Sequence, residues 1–316
     1  MKKRMVGVIG LGHVGAHCAY SLAVQGIVDQ LILVDQNHQK AISECQDIFD
    51  SVAYLPHRVD VQVGSFSDLG DCDVIVNSVG DINLLIGNHN RVTEMDFTIR
   101  AVNGYVHKIM ESGFDGVIIN ITNPCDIVTR QIAKLSGLPR GRVFGTGTGL
   151  DSARLRSQLA KQTGIDHKSI TAYMMGEHGA AQMTPWSAVM LGGKPLAQWE
   201  KENQRFCFDR DKMKQDVIGA GWVVFDGKHC TEYGICSTLA RLVQIVLHDE
   251  KQILPVSAEL AGEYGQTDLF VGVPAMIGAK GVEKVVELEL TPEEYEEFQH
   301  CCRSVRQNME HLKDIQ

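Results

Sequence analysis

The chain has 316 residues, 44% of them hydrophobic, with 30 Lys and Arg against 39 Asp and Glu and a formal net charge of -9. That is enough apolar material for two packed domains or one large α/β unit, and the acidic balance excludes the basic surface that nucleic acids or anionic membranes require. No apolar run approaches the roughly 20 residues of a membrane span, and Met1-Lys2-Lys3-Arg4 leads into a glycine-rich turn, not a signal-peptide core, so a cytoplasmic protein is expected.

Met5 to Ile9 is uniformly apolar, a helix is expected to run on to about Gln25, and Leu31 to Val34 is a second apolar run. Short runs without alternation suit strands buried on both faces of a parallel sheet. Between the first strand and its helix lie Gly10, Gly12, His13, Val14 and Gly15 in a GxGxxG pattern, with Asp35 at the end of the second strand. A bare match marks many ordinary turns, but a strand before, a helix after and an acid downstream make a dinucleotide site. The glycines permit a tight turn and close approach of a pyrophosphate, whose charge meets helix-terminal N–H groups. Asp35 should accept hydrogen bonds from ribose hydroxyls and repel a 2'-phosphate, so the expected cofactor is NAD, not NADP.

The alternation continues through Asp73 to Asn77, a helix from about Val92 to Ser112, Val117 to Ile121, and Arg142 to Gly145. It predicts a Rossmann-type doubly wound parallel sheet over residues 1–145, with right-handed crossovers. After Gly145 the pattern is less regular, with strand candidates at Ala172 to Met175 and Val273 to Ile277. A mixed α+β substrate domain is expected over 146–316. Thr291-Pro292-Glu293-Glu294 offers a cap, a proline at the first helical position and first-turn acids, predicting a terminal helix toward Leu312.

Two segments of the second half carry chemistry: Leu150-Asp151-Ser152-Ala153-Arg154 and Gly176-Glu177-His178. A histidine held by Asp151, with Arg154 one helical turn from that aspartate, supplies a proton shuttle and a carboxylate anchor. Those are the groups needed to oxidise a 2-hydroxy acid. Nine cysteines without a Cys-x-x-Cys pair read as reduced thiols. Twelve histidines are read as offering no metal-binding spacing with a second strong ligand, so no metal is expected.

VGVIGLGHVG, LVDQN, ITNPCDIVT, GTGTGLDSAR, MMGEHG and DGKHCTEYG occur in that order along the chain. In these the chain resembles the L-lactate and malate dehydrogenase family essentially end to end, and within it is most similar to L-2-hydroxyisocaproate dehydrogenases. The resemblance implies that His178 exchanges a proton with the substrate oxygen while Asp151 orients its ring and stabilises the imidazolium. Arg154 would grip the substrate carboxylate in bidentate fashion. Asn123 would contact nicotinamide and substrate, the competing reading being a simple Asn-Pro turn. The segment from Gly80 to Arg91, GDINLLIGNHNR, corresponds to a loop that closes over substrate and delivers Arg91 to the reacting carbonyl. Gly80 would border the cofactor, Thr231 the substrate, and Ile235 the nicotinamide, although Thr231 and Ile235 could equally be core residues. A homotetramer is also implied.

Between Gly80 and Asn90 there is no arginine or lysine to pair a second substrate carboxylate, which disfavours malate. Leu84, Leu85 and Ile86, facing small residues Gly219, Ala220 and Gly221, favour 2-keto acids with branched or aromatic side chains. Should the leucines pack inward, a pyruvate-sized pocket remains, and the alternative is an L-lactate dehydrogenase. A non-enzymatic alternative is an NAD-binding redox sensor. Two acids depart from the family pattern: Asp81 near the expected pyrophosphate, and Glu232 beside Thr231, which should face away from substrate or be paired.

Overall fold

The computed structural model describes residues 3–85 and 91–314, and the side chains of Leu85, Arg91, Lys313 and Asp314 lie outside that description. The first half runs β1 (Met5–Ile9), α1 (His13–Val24), β2 (Gln30–Val34), α2 (His38–Val52), β3 (Asp60–Val63), β4 (Val74–Asn77), α3 (Met95–Glu111), β5 (Val117–Asn120), α4 (Cys125–Ser136) and β6 (Val143–Gly145). These six strands are parallel, in the order β3-β2-β1-β4-β5-β6. Every residue of β4 and β5 is buried, which is why 74–76 and 117–119 are apolar without alternation, and the Asn77 and Asn120 that end them hydrogen-bond each other at 2.7 Å. The chain reverses its winding between β1 and β4, and the crevice at the carboxyl ends there is where such sheets bind ligands.

The second half contains α5 (Gly149–Thr163), β7 (Ile170–Thr171), β8 (Met175–Gly176), β9 (Gln182–Met183), β10 (Met190–Leu191), β11 (Lys194–Pro195), α6 (Leu196–Glu202), α7 (Arg210–Lys228), α8 (Tyr233–His248), β12 (Gln252–Ala261), β13 (Thr267–Gly278), β14 (Gly281–Val285) and α9 (Pro292–Glu310). The main sheet does not stop at β6. Ser257 of β12 pairs antiparallel with Gly145, β13 follows, and the far edge of β13 pairs β8, which pairs β9, and further along β14. A small second sheet joins β11, β10 and β7.

The run from Ala172 to Met175 is not one strand. Residues 172–174 cross from the small sheet, where β7 pairs β10, to the large one, where β8 pairs β13. Ala172 and Met174 are buried without a ladder, and the Met174 N–H is satisfied instead by Ser152 Oγ at 2.8 Å. Val273 to Ile277 does form strand, but as the later part of the longer β13. The terminal helix starts as the sequence predicts: Glu294 N–H donates to Thr291 Oγ1 at 3.3 Å, and a Glu294 carboxylate oxygen accepts from Thr291 N–H at 3.1 Å.

On α5, Asp151, Leu155 and Leu159 recur every four residues and are all buried. The two leucines pack with Ile170, Leu191 and Val217, each such side chain contributing about 1.5–3 kcal/mol of burial. That stripe fixes the rotation of α5 and so carries Asp151 inward. No helix among the described residues is long and apolar enough to cross a membrane.

Candidate active site

The glycine loop closes the gap between β1 and α1. Gly10 has φ +86°, a left-handed conformation that L side chains rarely adopt, and a Cβ on Gly15 would stand 1.9 Å from the Gly10 carbonyl oxygen. A Cβ on Gly12 would meet nothing within 4 Å, so this face of the turn is open. α1 begins with no side-chain cap and no acid in its first turn, leaving its N–H groups at His13 and Val14 available to an anion. Asp35 is tied to the loop: one carboxylate oxygen accepts from Leu11 N–H at 2.6 Å, the other from Asn37 N–H at 2.8 Å. Each oxygen keeps a lone pair for a hydroxyl donor.

Below this cleft a cavity of about 80 Å³ is lined by Val14, Asn123, Arg154, His178, Thr231 and Ile235, among others. Six residues drawn from distant parts of the sequence therefore meet at one place. Asn123 Oδ1 is buried there with no hydrogen-bond partner in the structure, an acceptor that a bound carboxamide or hydroxyl would satisfy. The open face at Gly12, the uncapped helix, Asp35 and this orphaned acceptor together fit a nicotinamide dinucleotide laid across the carboxyl ends of the strands.

Asp151 sits in the first turn of α5, where the helix dipole favours a carboxylate. His178 follows β8 in a turn closed by Glu177 N–H to the Ala181 carbonyl at 2.9 Å. His178 Nδ1 lies 2.7 Å from Asp151 Oδ2, and Arg154 Nη1 donates to Asp151 Oδ1 at 2.9 Å. The three side chains are 13%, 3% and 13% exposed for His178, Asp151 and Arg154. A carboxylate on Nδ1 makes that nitrogen the proton carrier, leaving Nε2 to exchange a proton with a ligand. The arrangement pairs an acid/base with a guanidinium suited to a carboxylate.

The rest of the expected set is less uniform. Arg91 begins a short 3-10 turn ahead of α3, but its side chain, that of Leu85, and all of Ile86 lie outside the described residues. Leu84 does not reach the site: it is 38% exposed and lines neither cavity beside His178, whereas Ile82 lines the smaller one. Asp81 is the reason. Its carboxylate accepts from Asn83 N–H at 3.1 Å and its carbonyl from Leu84 N–H at 3.1 Å, winding residues 82–85 into a 3-10 turn. Gly80 is exposed and also lines neither cavity. Glu232 is buried and paired, with Lys228 as its ion-pair partner and His13 and His17 Nδ1 at 3.5 and 3.6 Å. Lys228 holds its carboxyl below the usual carboxylate range. His13 and His17, four apart on α1, share a helix face, a spacing that the sequence reading passed over.

Sequence reasoning also missed a second cavity of about 220 Å³ on the other flank of His178 and Arg154, lined by Glu177, Gln182, Ile218, Trp222, Ser304 and Asn308 among others. Asn308 Nδ2 donates to Glu177 Oε1 at 2.7 Å, anchoring α9 to the histidine turn. A larger hollow of about 520 Å³, lined by Arg4, Asp73, Gly116 and Arg142, opens at the amino ends of the parallel strands, the wrong edge for a ligand in this topology. Among the described residues no group of three His, Cys, Asp or Glu side chains is arranged to hold a metal.

Residues 4–145 match the lactate/malate dehydrogenase NAD binding domain, and residues 148–316 match the lactate/malate dehydrogenase alpha/beta C-terminal domain. The chain belongs to the lactate/malate dehydrogenase family. It is 40% identical to an L-lactate dehydrogenase of Fusobacterium nucleatum, over 98% of this chain and 97% of that protein. The minor L-lactate dehydrogenase of Enterococcus mundtii in its ligand-bound form superposes with a TM-score of 0.91 at 33% identity, covering 97% and 98% of the two chains. The Cryptosporidium parvum lactate dehydrogenase, solved with lactic acid and nicotinamide adenine dinucleotide, gives 0.91 at 25% identity over 99% of each. This family member is an NAD-dependent oxidoreductase acting on CH–OH groups. These relatives bear the names of L-lactate or lactate dehydrogenases, not the hydroxyisocaproate name that the sequence favoured.

Proposed function

We propose that this enzyme is an L-lactate dehydrogenase, interconverting pyruvate and L-lactate. The observation that carries the reading is the shared carboxylate of Asp151, which sets His178 and Arg154 side by side at a cavity of only about 80 Å³. The names of the relatives support it. When bound, NADH supplies the hydride. Arg154 fixes the substrate carboxylate, and His178 delivers a proton from Nε2 to the carbonyl oxygen as the alcohol forms. Asp151 holds the ring and stabilises the imidazolium before transfer. Asn123 and Thr231 bound the substrate, Ile235 packs on the nicotinamide, and Arg91 polarises the carbonyl.

A second reading retains branched or aromatic 2-keto acids. The neighbouring cavity of about 220 Å³, with Ile218 and Trp222 in its lining, favours it by offering room for a longer side chain beside Arg154. Initial rates of NADH oxidation with pyruvate, 2-ketoisocaproate, phenylpyruvate and oxaloacetate separate the two. Highest kcat/KM with pyruvate supports the first reading; highest with 2-ketoisocaproate or phenylpyruvate replaces it with the second. NADH binding without turnover would leave a redox sensor.

Self-association belongs to the same proposal. Tyr20 of α1 and Ile42, Phe49 and Tyr54 on and just after α2 expose large apolar side chains, Tyr54 at 93%, apolar surface that burial against a second copy would remove from water. Light scattering that returns the monomer mass would remove it. Cysteines that are all thiols, none in a disulfide, suit a reducing compartment, and we place the enzyme in the cytoplasm.

A further inference from the structure

Asp126, on the first turn of α4, is buried and outside every role assigned so far. Its Oδ2 accepts from the His178 main-chain N–H at 2.9 Å, and its Oδ1 from Ser257 Oγ at 2.6 Å. It is therefore a carboxylate joined on one side to the central strand β12 and on the other to the turn that presents the histidine. Three residues earlier in its own segment stands Asn123, with its orphaned acceptor. One buried charge thus ties together the loops carrying two residues of the site, and a structural anchor alone would need only a neutral amide there.

We propose that Asp126 is a positioning residue for the acid/base, holding the His178 turn in register with Asn123 and supplying a second negative charge that supports the imidazolium. This rests on the reading of His178 as proton donor in keto-acid reduction. Burial pushes the Asp126 carboxyl up to about 6, against the opposing pull of the Ser257 and His178 hydrogen bonds. The groups facing it are His178 and Glu177 from the turn after β8, Ser257 from β12, Cys302 from α9 and Cys125 from its own helix. Because its folded value lies above the ordinary carboxylate value, its contribution to stability is full below that ordinary value and is lost as pH rises through about 6. The ionised form that serves the histidine is the form that strains the fold.

The test compares wild type, Asp126→Asn and Ser257→Ala in pyruvate reduction between pH 5 and 8, with melting temperature and NADH affinity measured alongside. Wild type should lose kcat/KM as pH falls through about 6. Asp126→Asn should lack that limb and run roughly ten- to a hundredfold slower at pH 7.5, less than the hundred- to ten-thousandfold that losing the acid/base itself costs. It should bind NADH normally and melt no lower than wild type at pH 7.5, the difference closing at pH 5. Ser257→Ala removes a donor that favours the ionised form, so its limb should move to higher pH; this variant decides the matter should Asp126→Asn fail to fold. An acid limb at the same pH in Ser257→Ala as in wild type, or an Asp126→Asn enzyme that melts lower but keeps its rate and limb, overturns the proposal. Absence of keto-acid turnover in wild type would instead remove the reading of the site, and this inference with it.

Discussion

His178 and Arg154 share one carboxylate: Asp151 Oδ2 lies 2.7 Å from the imidazole Nδ1 while its Oδ1 accepts from the guanidinium at 2.9 Å. The proton carrier and the anion anchor are thereby set at a fixed separation by a third group. Replacing Asp151 by Asn keeps the shape but lets the amide present a donor to Nδ1, favouring the wrong tautomer. We expect kcat/KM for the keto acid to fall about a hundred- to ten-thousandfold, the range of a lost general acid. NADH affinity, read by fluorescence titration, should be unchanged.

Arg154 is 13% exposed and its charge is matched by Asp151 until substrate arrives. Arg154→Leu should cost about 2–5 kcal/mol in kcat/KM, the range for truncating one member of a buried hydrogen-bonded charge pair. Arg154→Lys keeps the charge without the planar fork and should recover only part of that loss. Steady-state kinetics on both variants, with the keto acid varied, checks the order.

Asp35 holds the glycine loop through Leu11 and stands where a ribose would lie. Asp35→Ser removes the charge that repels a 2'-phosphate. The ratio of kcat/KM for NADH over NADPH should drop by roughly tenfold or more, because like-charge juxtaposition costs several kcal/mol.

Two glycines of one motif should respond oppositely. A Cβ at Gly15 meets Gly10 O at 1.9 Å and Ser78 Oγ at 2.3 Å, so Gly15→Ala should destabilise the fold by about 1–3 kcal/mol through overpacking. Gly12→Ala meets no protein atom within 4 Å and should leave the melting temperature intact while weakening NADH binding. Thermal denaturation with and without NADH separates the two effects.

Local features were legible in the sequence because their causes are local. The turn at Gly10, the boundaries of β1 and the Thr291–Glu294 capping box follow from a few adjacent residues. The meeting of Asp151 with His178 spans 27 residues, and motif resemblance, not periodicity, brought them together. Where a long-range partner decides, sequence reading stopped. Met174 gives up its strand because Ser152 satisfies its N–H, Leu84 turns outward because Asp81 winds the following turn, and Asp126 finds Ser257 131 residues away. The Glu232 expectation worked in the other direction: elementary electrostatics required a partner, and the structure provides Lys228.

The central claim is that His178 carries the proton in an NAD-dependent reduction. Pyruvate-dependent NADH oxidation by wild type and His178→Gln, with NADH affinity measured on the same samples, tests it most directly. The account predicts a loss of about a hundred- to ten-thousandfold in kcat/KM with NADH binding retained. A His178→Gln enzyme that turns over pyruvate at the wild-type rate would contradict it.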